Sequence, residues 1–221
     1  MIRSLLAALF LAFPAQAQDV TMAALSPETA RILRPVVVAA ERAFPRLPGV
    51  TLTSSLRNVC GGDAASDPFA NYCTDLNRIY VAKLAETGMS ADEMIYRLAH
   101  LYGHAVQVRH GIADVALATI RANRAEEGLL RANVTQQVEC IAGVIAGRAT
   151  GGRVRGPASW ATEEPFTGSH WGASPIARGP KVSIGLAARN DWFLKGRDSD
   201  DFAACATERF SADLILRAVR P

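Results

Sequence analysis

Apolar and polar positions along this chain change period several times, and each change marks an element. Residues 1–17 carry one positive charge at Arg3, an apolar run over residues 5–13 and then Ala15-Gln16-Ala17. That is the layout of an export signal with a small-x-small cleavage site. The run is shorter than the roughly 18 to 20 apolar residues a membrane helix needs, and no later segment approaches that length, so the mature chain is expected to have no membrane span. Ser26-Pro27-Glu28-Thr29 predicts a helix start, with Ser26 as N-cap, Pro27 at N1 and Thr29 at N3. The helix continues over residues 30–44 despite Pro35, and Pro45 and Pro48-Gly49 end it. Residues 50–56 and 78–84 alternate and carry β-branched or aromatic side chains, so both read as strands. The segment between them holds Cys60, Gly61, Gly62, Asp67-Pro68 and Cys73, which is loop chemistry.

Ser90-Ala91-Asp92-Glu93 is a capping box, with the Ser90 hydroxyl serving the Glu93 N–H and the Glu93 side chain reaching back. In the helix it opens, Met94, Ile95, Leu98, Leu101, Tyr102 and Ala105 form an apolar stripe at 3.6-residue spacing. Glu93, Arg97, His100, His104 and Gln107 fall on the other side, so the two histidines are expected outside the core. Residues 113–131 read as helix, and Asn133 or Thr135 is placed to cap another that runs to about residue 149 and stops at Gly151-Gly152. Residues 153–181 are dense in Gly, Pro and Ser and read as an irregular excursion. Helical patterns return over residues 183–193 and 200–217, the last carrying Cys205. The whole predicts an α+β fold, a mainly helical core with a small β element, in a single domain over residues 18–221.

Composition narrows the compartment and the partners. Four cysteines, Cys60, Cys73, Cys140 and Cys205, in a chain with an export signal predict two disulfides. Of the three connectivities, we read Cys60 with Cys73, closing a short Gly/Asp/Asn-rich loop, and Cys140 with Cys205, tying the tail to the centre. The expected location is periplasmic or secreted. The formal net charge is +3, one of which Arg3 supplies, and no long basic run is present, which gives no support for nucleic acid as a partner.

The candidate chemistry sits in Leu98-Ala99-His100-Leu101-Tyr102-Gly103-His104-Ala105-Val106-Gln107. Histidines at i and i+4 of a helix lie one above the other and can reach one metal ion. A zinc peptidase helix also needs a Glu after the first His, to act as general base on metal-bound water. Here that position is Leu101. Elsewhere, Asn133-Val134-Thr135 matches a glycosylation sequon only by pattern, His170 reads as an exposed loop histidine, Glu126-Glu127 as a solvated helix face, and no serine has a nucleophile-elbow context.

Several pieces recur in a familiar order: Cys60-Gly61, Tyr72-Cys73-Thr74, Ile79-Tyr80-Val81, the His100 to Gln107 stretch, Thr135-Gln136-Gln137-Val138-Glu139-Cys140-Ile141-Ala142-Gly143, Arg189-Asn190-Asp191-Trp192-Phe193, and Cys205. This set resembles the bacterial secreted neutral zinc metallopeptidase family, of His-Glu-x-x-His type. The resemblance implies a zincin-like fold and zinc as candidate cofactor, with His100 and His104 as ligands. Two departures fall on the chemistry: Leu101 stands where the family has its general base, and Thr135 where the family has a carboxylate ligand. Losing a general base costs about 10²- to 10⁴-fold in rate, and catalytic zinc ordinarily has three protein ligands. Glu139 takes the position of the family's second-shell Asp and is one methylene longer, so it either reaches a metal or orients a histidine. His110 offers a three-histidine alternative that requires a bend at Gln107. The expectation is a metallopeptidase-like protein without peptidase activity that binds a peptide or envelope partner through the inherited cleft; the alternative is an active metal-dependent hydrolase with a rebuilt site.

Overall fold

Helix α1 (Pro27–Ala43) begins, in the computed structural model of the chain, as its sequence predicts: the Ser26 hydroxyl accepts from the Thr29 N–H at 3.2 Å. The structure describes residues 25–57, 59, 60, 67–82, 88–167 and 182–221. The signal over residues 1–17, the pair Gly61-Gly62, and the excursion's residues 168–181 with His170 lie outside the described residues. Leu33, Val36, Val37 and Ala40 form the buried stripe of α1. Pro35 falls on its exposed side, where water can meet the carbonyl whose helical partner the proline removes.

Strands β1 (Gly49–Thr53), β2 (Ala70–Cys73) and β3 (Arg78–Ala82) form a sheet of order β1-β3-β2. β1 runs parallel to β3 with Gly49 opposite Arg78, and β2 antiparallel to β3 with Ala70 opposite Val81. Strand β2 corrects the reading of its segment as loop alone. All four of its residues are buried, which leaves no polar alternation to read from sequence. The Asp67 carboxylate fixes its start, accepting from the Phe69 and Ala70 N–H groups at 2.8 and 3.0 Å.

Helix α2 (Ala91–Arg109) is capped by Ser90, whose hydroxyl accepts from Glu93 N–H at 3.1 Å, while the Glu93 carboxylate takes Arg97. It packs against α1, against β2 and against the next two helices, α3 (Ile112–Ala122) and α4 (Glu127–Thr150). Enclosed on several sides, α2 buries both of its faces from Met94 to Gln107, apart from Arg97. The expectation of histidines outside the core is thereby overturned: His100 is 2% and His104 6% exposed.

Helix α4 also differs from expectation. It runs unbroken through Asn133 and Thr135, and the chain breaks earlier, at Asn123 and a single 3₁₀ turn over Arg124–Glu126. Neither residue acts as a cap because each bonds back into its own helix: Asn133 Nδ2 donates to Leu129 O at 3.0 Å and Thr135 Oγ1 to Arg131 O at 3.1 Å. Gly151, in a left-handed conformation, ends the helix as expected.

Helix α5 (Leu186–Ser199) crosses α4 at close range. A Cβ at Gly143 would collide with the Phe193 carbonyl oxygen, and one at Gly196 with that of Cys140. Cys205 lies in a 3₁₀ turn, Phe202–Cys205, and helix α6 (Asp213–Ala218) follows, so the expected single helix over 200–217 is split. Left-handed Asp200 and the Asp201 side chain, which caps the turn, divide it. The disulfides pair as read, Cys60 with Cys73 and Cys140 with Cys205. The architecture is α+β, mainly helical with a small three-stranded sheet. Among the described residues no helix is long and apolar enough to cross a membrane.

Candidate functional site

The Ser90 cap and the packing of α2 on α4 set where the two imidazoles point. Gly103 permits that packing: a Cβ there would lie 2.8 Å from the Val138 carbonyl oxygen. One turn apart on α2, His100 and His104 turn their Nε2 atoms toward each other at 3.1 Å, with ring planes at 81°. His100 Nδ1 lies 3.1 Å from Glu139 Oε1. Donor and acceptor roles between the two Nε2 atoms follow the tautomers: a proton on His100 Nδ1, toward the carboxylate, leaves His100 Nε2 to accept from His104 Nε2.

Glu139 is fully buried and its Oε1 is crowded with donors. It accepts from Tyr96 Oη at 3.2 Å and from Arg189 Nη1, besides facing His100. Burial is the largest single influence on this carboxyl and pushes its pKa up. His100 and Arg189 together outweigh burial and hold it below the ordinary value. Burial first, and the Glu139 charge second, push the Tyr96 hydroxyl far above the usual phenol range. Burial is the largest single influence on Arg189 and works against its charge, but Glu139, Tyr96 and Glu164 together outweigh it and raise its pKa.

Arg189 also fastens a stretch of the excursion over the histidines. Its Nε donates to Glu164 Oε1 at 2.7 Å and its Nη2 to Phe166 O at 3.1 Å. Glu164 in turn accepts from Ser183 Oγ and from the Ile184 and Gly185 N–H groups, both at 3.0 Å, just before α5 begins. Phe166, at a φ of 58°, lays its ring on His100 with centroids 4.1 Å apart and planes 2° from parallel. Arg97, paired with Asp67 and Glu93, lies against the rings of Trp160 and Phe166. The described part of the excursion thus forms a strap across the pair.

Each residue singled out in the sequence now has a place. Leu101 belongs to the hydrophobic core and supplies no oxygen. Thr135, 1% exposed, turns its hydroxyl to Arg131 O. Glu139 contacts His100 at Nδ1, the nitrogen on the far side of the ring from His104. His110 is the C-cap of α2, packed on the Phe44 ring, and its Nδ1 lies 3.4 Å from Arg46 Nη2. Burial, with Arg46 second, pushes the His110 pKa down. Gln107 stays helical and donates to Gln137 Oε1 at 3.1 Å, so the bend that a three-histidine site requires is not formed. Asn133, 2% exposed within α4, is no accessible glycosylation site. Tyr96, Glu164 and Phe166 are the participants that sequence reasoning missed. Helical spacing puts Tyr96 at the edge of the polar side of α2, near Gln107 and His100, a signal that could have found it, and the other two lie in a stretch without periodicity.

Zinc held by two imidazoles at its usual bond length sets their nitrogens roughly 3.3 Å apart, and the 3.1 Å between the Nε2 atoms matches that. The described residues nevertheless contain no group of three or more His, Cys, Asp or Glu side chains that could hold a metal ion. They therefore do not fit the three-ligand site of a catalytic zinc.

No family model matches the chain, and neither a curated protein nor a solved structure shows significant similarity to it.

Proposed function

We propose that the protein is an exported, zincin-like relative of the secreted zinc metallopeptidases that has lost peptidase activity and binds a peptide or envelope partner through what remains of the cleft. One observation carries the reading: a convergent histidine pair backed by a carboxylate persists, while Leu101 offers hydrocarbon beside it and the Thr135 hydroxyl is spent on its own helix. Hydrolysis needs a base to activate water and a third ligand to hold the metal, and neither position supplies one. The signal pattern over residues 1–17 and the two disulfides support an oxidising location outside the cytoplasm.

The 3.1 Å separation of the imidazole nitrogens favours one second reading, a metal-dependent hydrolase with a rebuilt site. Metal analysis of the purified mature protein, together with an assay on unfolded protein substrates, decides between them. The inactive reading expects no cleavage and less than stoichiometric zinc. Stoichiometric zinc lost on His104→Ala, accompanied by cleavage, would replace it with the hydrolase. Capture from a periplasmic extract tests the partner, and recovery of no peptide or protein would sink the binding role.

A further inference from the structure

Along the flank of α1, where its buried side meets its exposed side, the chain forms a concavity of about 440 Å³ with an apolar floor and a cationic rim. One wall is a stripe of α1 at helical spacing, including Val38, Ala39 and Ala43. The last turn of α4 forms the second wall, and Val219 with Arg220 forms the third. The tail is pinned to α1 by a backbone bond from Arg220 N–H to Ala43 O at 2.8 Å. Small side chains at Ala39, Ala43 and Ala149 leave the space open.

Three arginines edge this space: Arg42, Arg148 and Arg220. Arg148 is held in place, donating from Nε to Asp200 Oδ1 at 2.6 Å and from Nη2 to Asp200 O at 2.8 Å, with its guanidinium over the Phe202 ring. Arg42 and Arg220 are exposed and form no ion pair among the described residues. Arg42 and Arg148 both stand in last helical turns, where a cation complements the helix dipole. The dipole accounts for neither Arg220 nor the apolar floor between the cations. The lining holds these three guanidinium groups and no acidic side chain, and Asp200 is taken by Arg148.

We propose that this groove binds a small amphiphilic oxyanion, a carboxylate or phosphate carried on an aliphatic tail. Guanidinium forks match both head groups in geometry and charge. Val38, Ala39, Ala43 and Val219 offer the tail hydrocarbon and no polar group to satisfy. The volume lies in the range of small-ligand sites. The site is distinct from the histidine pair, and the proposal stands or falls independently of the function assigned to that pair.

Calorimetric titration of the mature protein with decanoate, decyl phosphate, decanol, decyltrimethylammonium and inorganic phosphate tests it. Saturable binding of decanoate or decyl phosphate is expected, weakened about tenfold or more in Arg42→Ala/Arg220→Ala and in Val38→Glu. All these substitutions are at exposed positions, and unfolding curves matching the wild type verify the fold. Whichever of decanoate and decyl phosphate binds more tightly identifies the head group. Equal affinity for decanol or decyltrimethylammonium, binding of inorganic phosphate as tight as of decyl phosphate, unchanged affinity in the variants, or no binding at all would each overturn the proposal.

Discussion

At Arg189 one buried guanidinium meets three acceptors, Glu139, Glu164 and the Phe166 carbonyl. Removing it strips the fully buried Glu139 carboxylate of the guanidinium paired with it, and Tyr96 offers only a neutral hydrogen bond in its place. Arg189→Met is therefore expected to cost about 3–5 kcal/mol in chemical unfolding. Adding Glu139→Gln should return much of that loss, and a single variant within 1 kcal/mol of wild type would disprove the account. Phe166 acts differently, by coverage. With its ring on His100, the imidazole is shielded from reagents, so Phe166→Ala should raise the rate of histidine modification by diethyl pyrocarbonate. An unchanged modification rate would mean that the ring does not guard the pair.

Between elements, stability rests on how closely backbones approach and on what fastens the strap. Gly143 and Gly196 face the opposite helix at the α4–α5 crossing, and a methyl group at either must push the helices apart. Gly196→Ala is expected to destabilise the protein by about 1–3 kcal/mol, measured as a shift in denaturant midpoint; a neutral effect would show that the crossing has slack. The strap should also respond to acid. Burial tends to raise the Glu164 pKa, but its bonds to Ser183, Ile184 and Arg189 outweigh this and lower it. A depressed folded-state pKa contributes stability that is present above the ordinary carboxyl value and is lost as pH falls through the folded value. Acid titration of tryptophan fluorescence in a Trp171→Phe/Trp192→Phe background, which leaves Trp160 in the strap as the reporter, should show that transition, and Glu164→Gln should remove it. A transition of the same size in the variant would assign the effect to another group.

For the whole molecule, the disulfides differ in what they restrain. The Cys60–Cys73 bridge closes 13 residues and the Cys140–Cys205 bridge 65. Loop-closure entropy gives the longer bridge about 4 kcal/mol and the shorter about 3 kcal/mol. Replacing both cysteines of the long bridge by Ala should therefore lower the thermal midpoint more than the same change in the short one. The difference also has a structural cause, since Cys205 sits between α5 and α6 and joins the tail to the centre of α4. The opposite order would show that native-state packing, not chain entropy, sets the contribution of each bridge.

Local signals carried far in this chain. Ser26, Ser90 and Gly151 fixed helix ends because capping depends on bonds within four residues, and β1 and β3 followed from their own alternation. The sequence also determined that Leu101 can activate no water, since that depends on side-chain chemistry alone. Other features required partners from distant segments. A wheel drawn on α2 placed the histidines outward, and only the arrival of α4 and the strap buried them. Asn133 and Thr135 looked like caps, yet a carbonyl four residues back satisfied each of them inside a continuous helix. β2 exists because β3 lies beside it. The bonding of Glu139 to Arg189 and of Arg189 to Phe166 spans three separated segments. Sequence thus set the chemistry each residue can offer, while tertiary packing decided what each one faces, because burial and pairing are properties of neighbours.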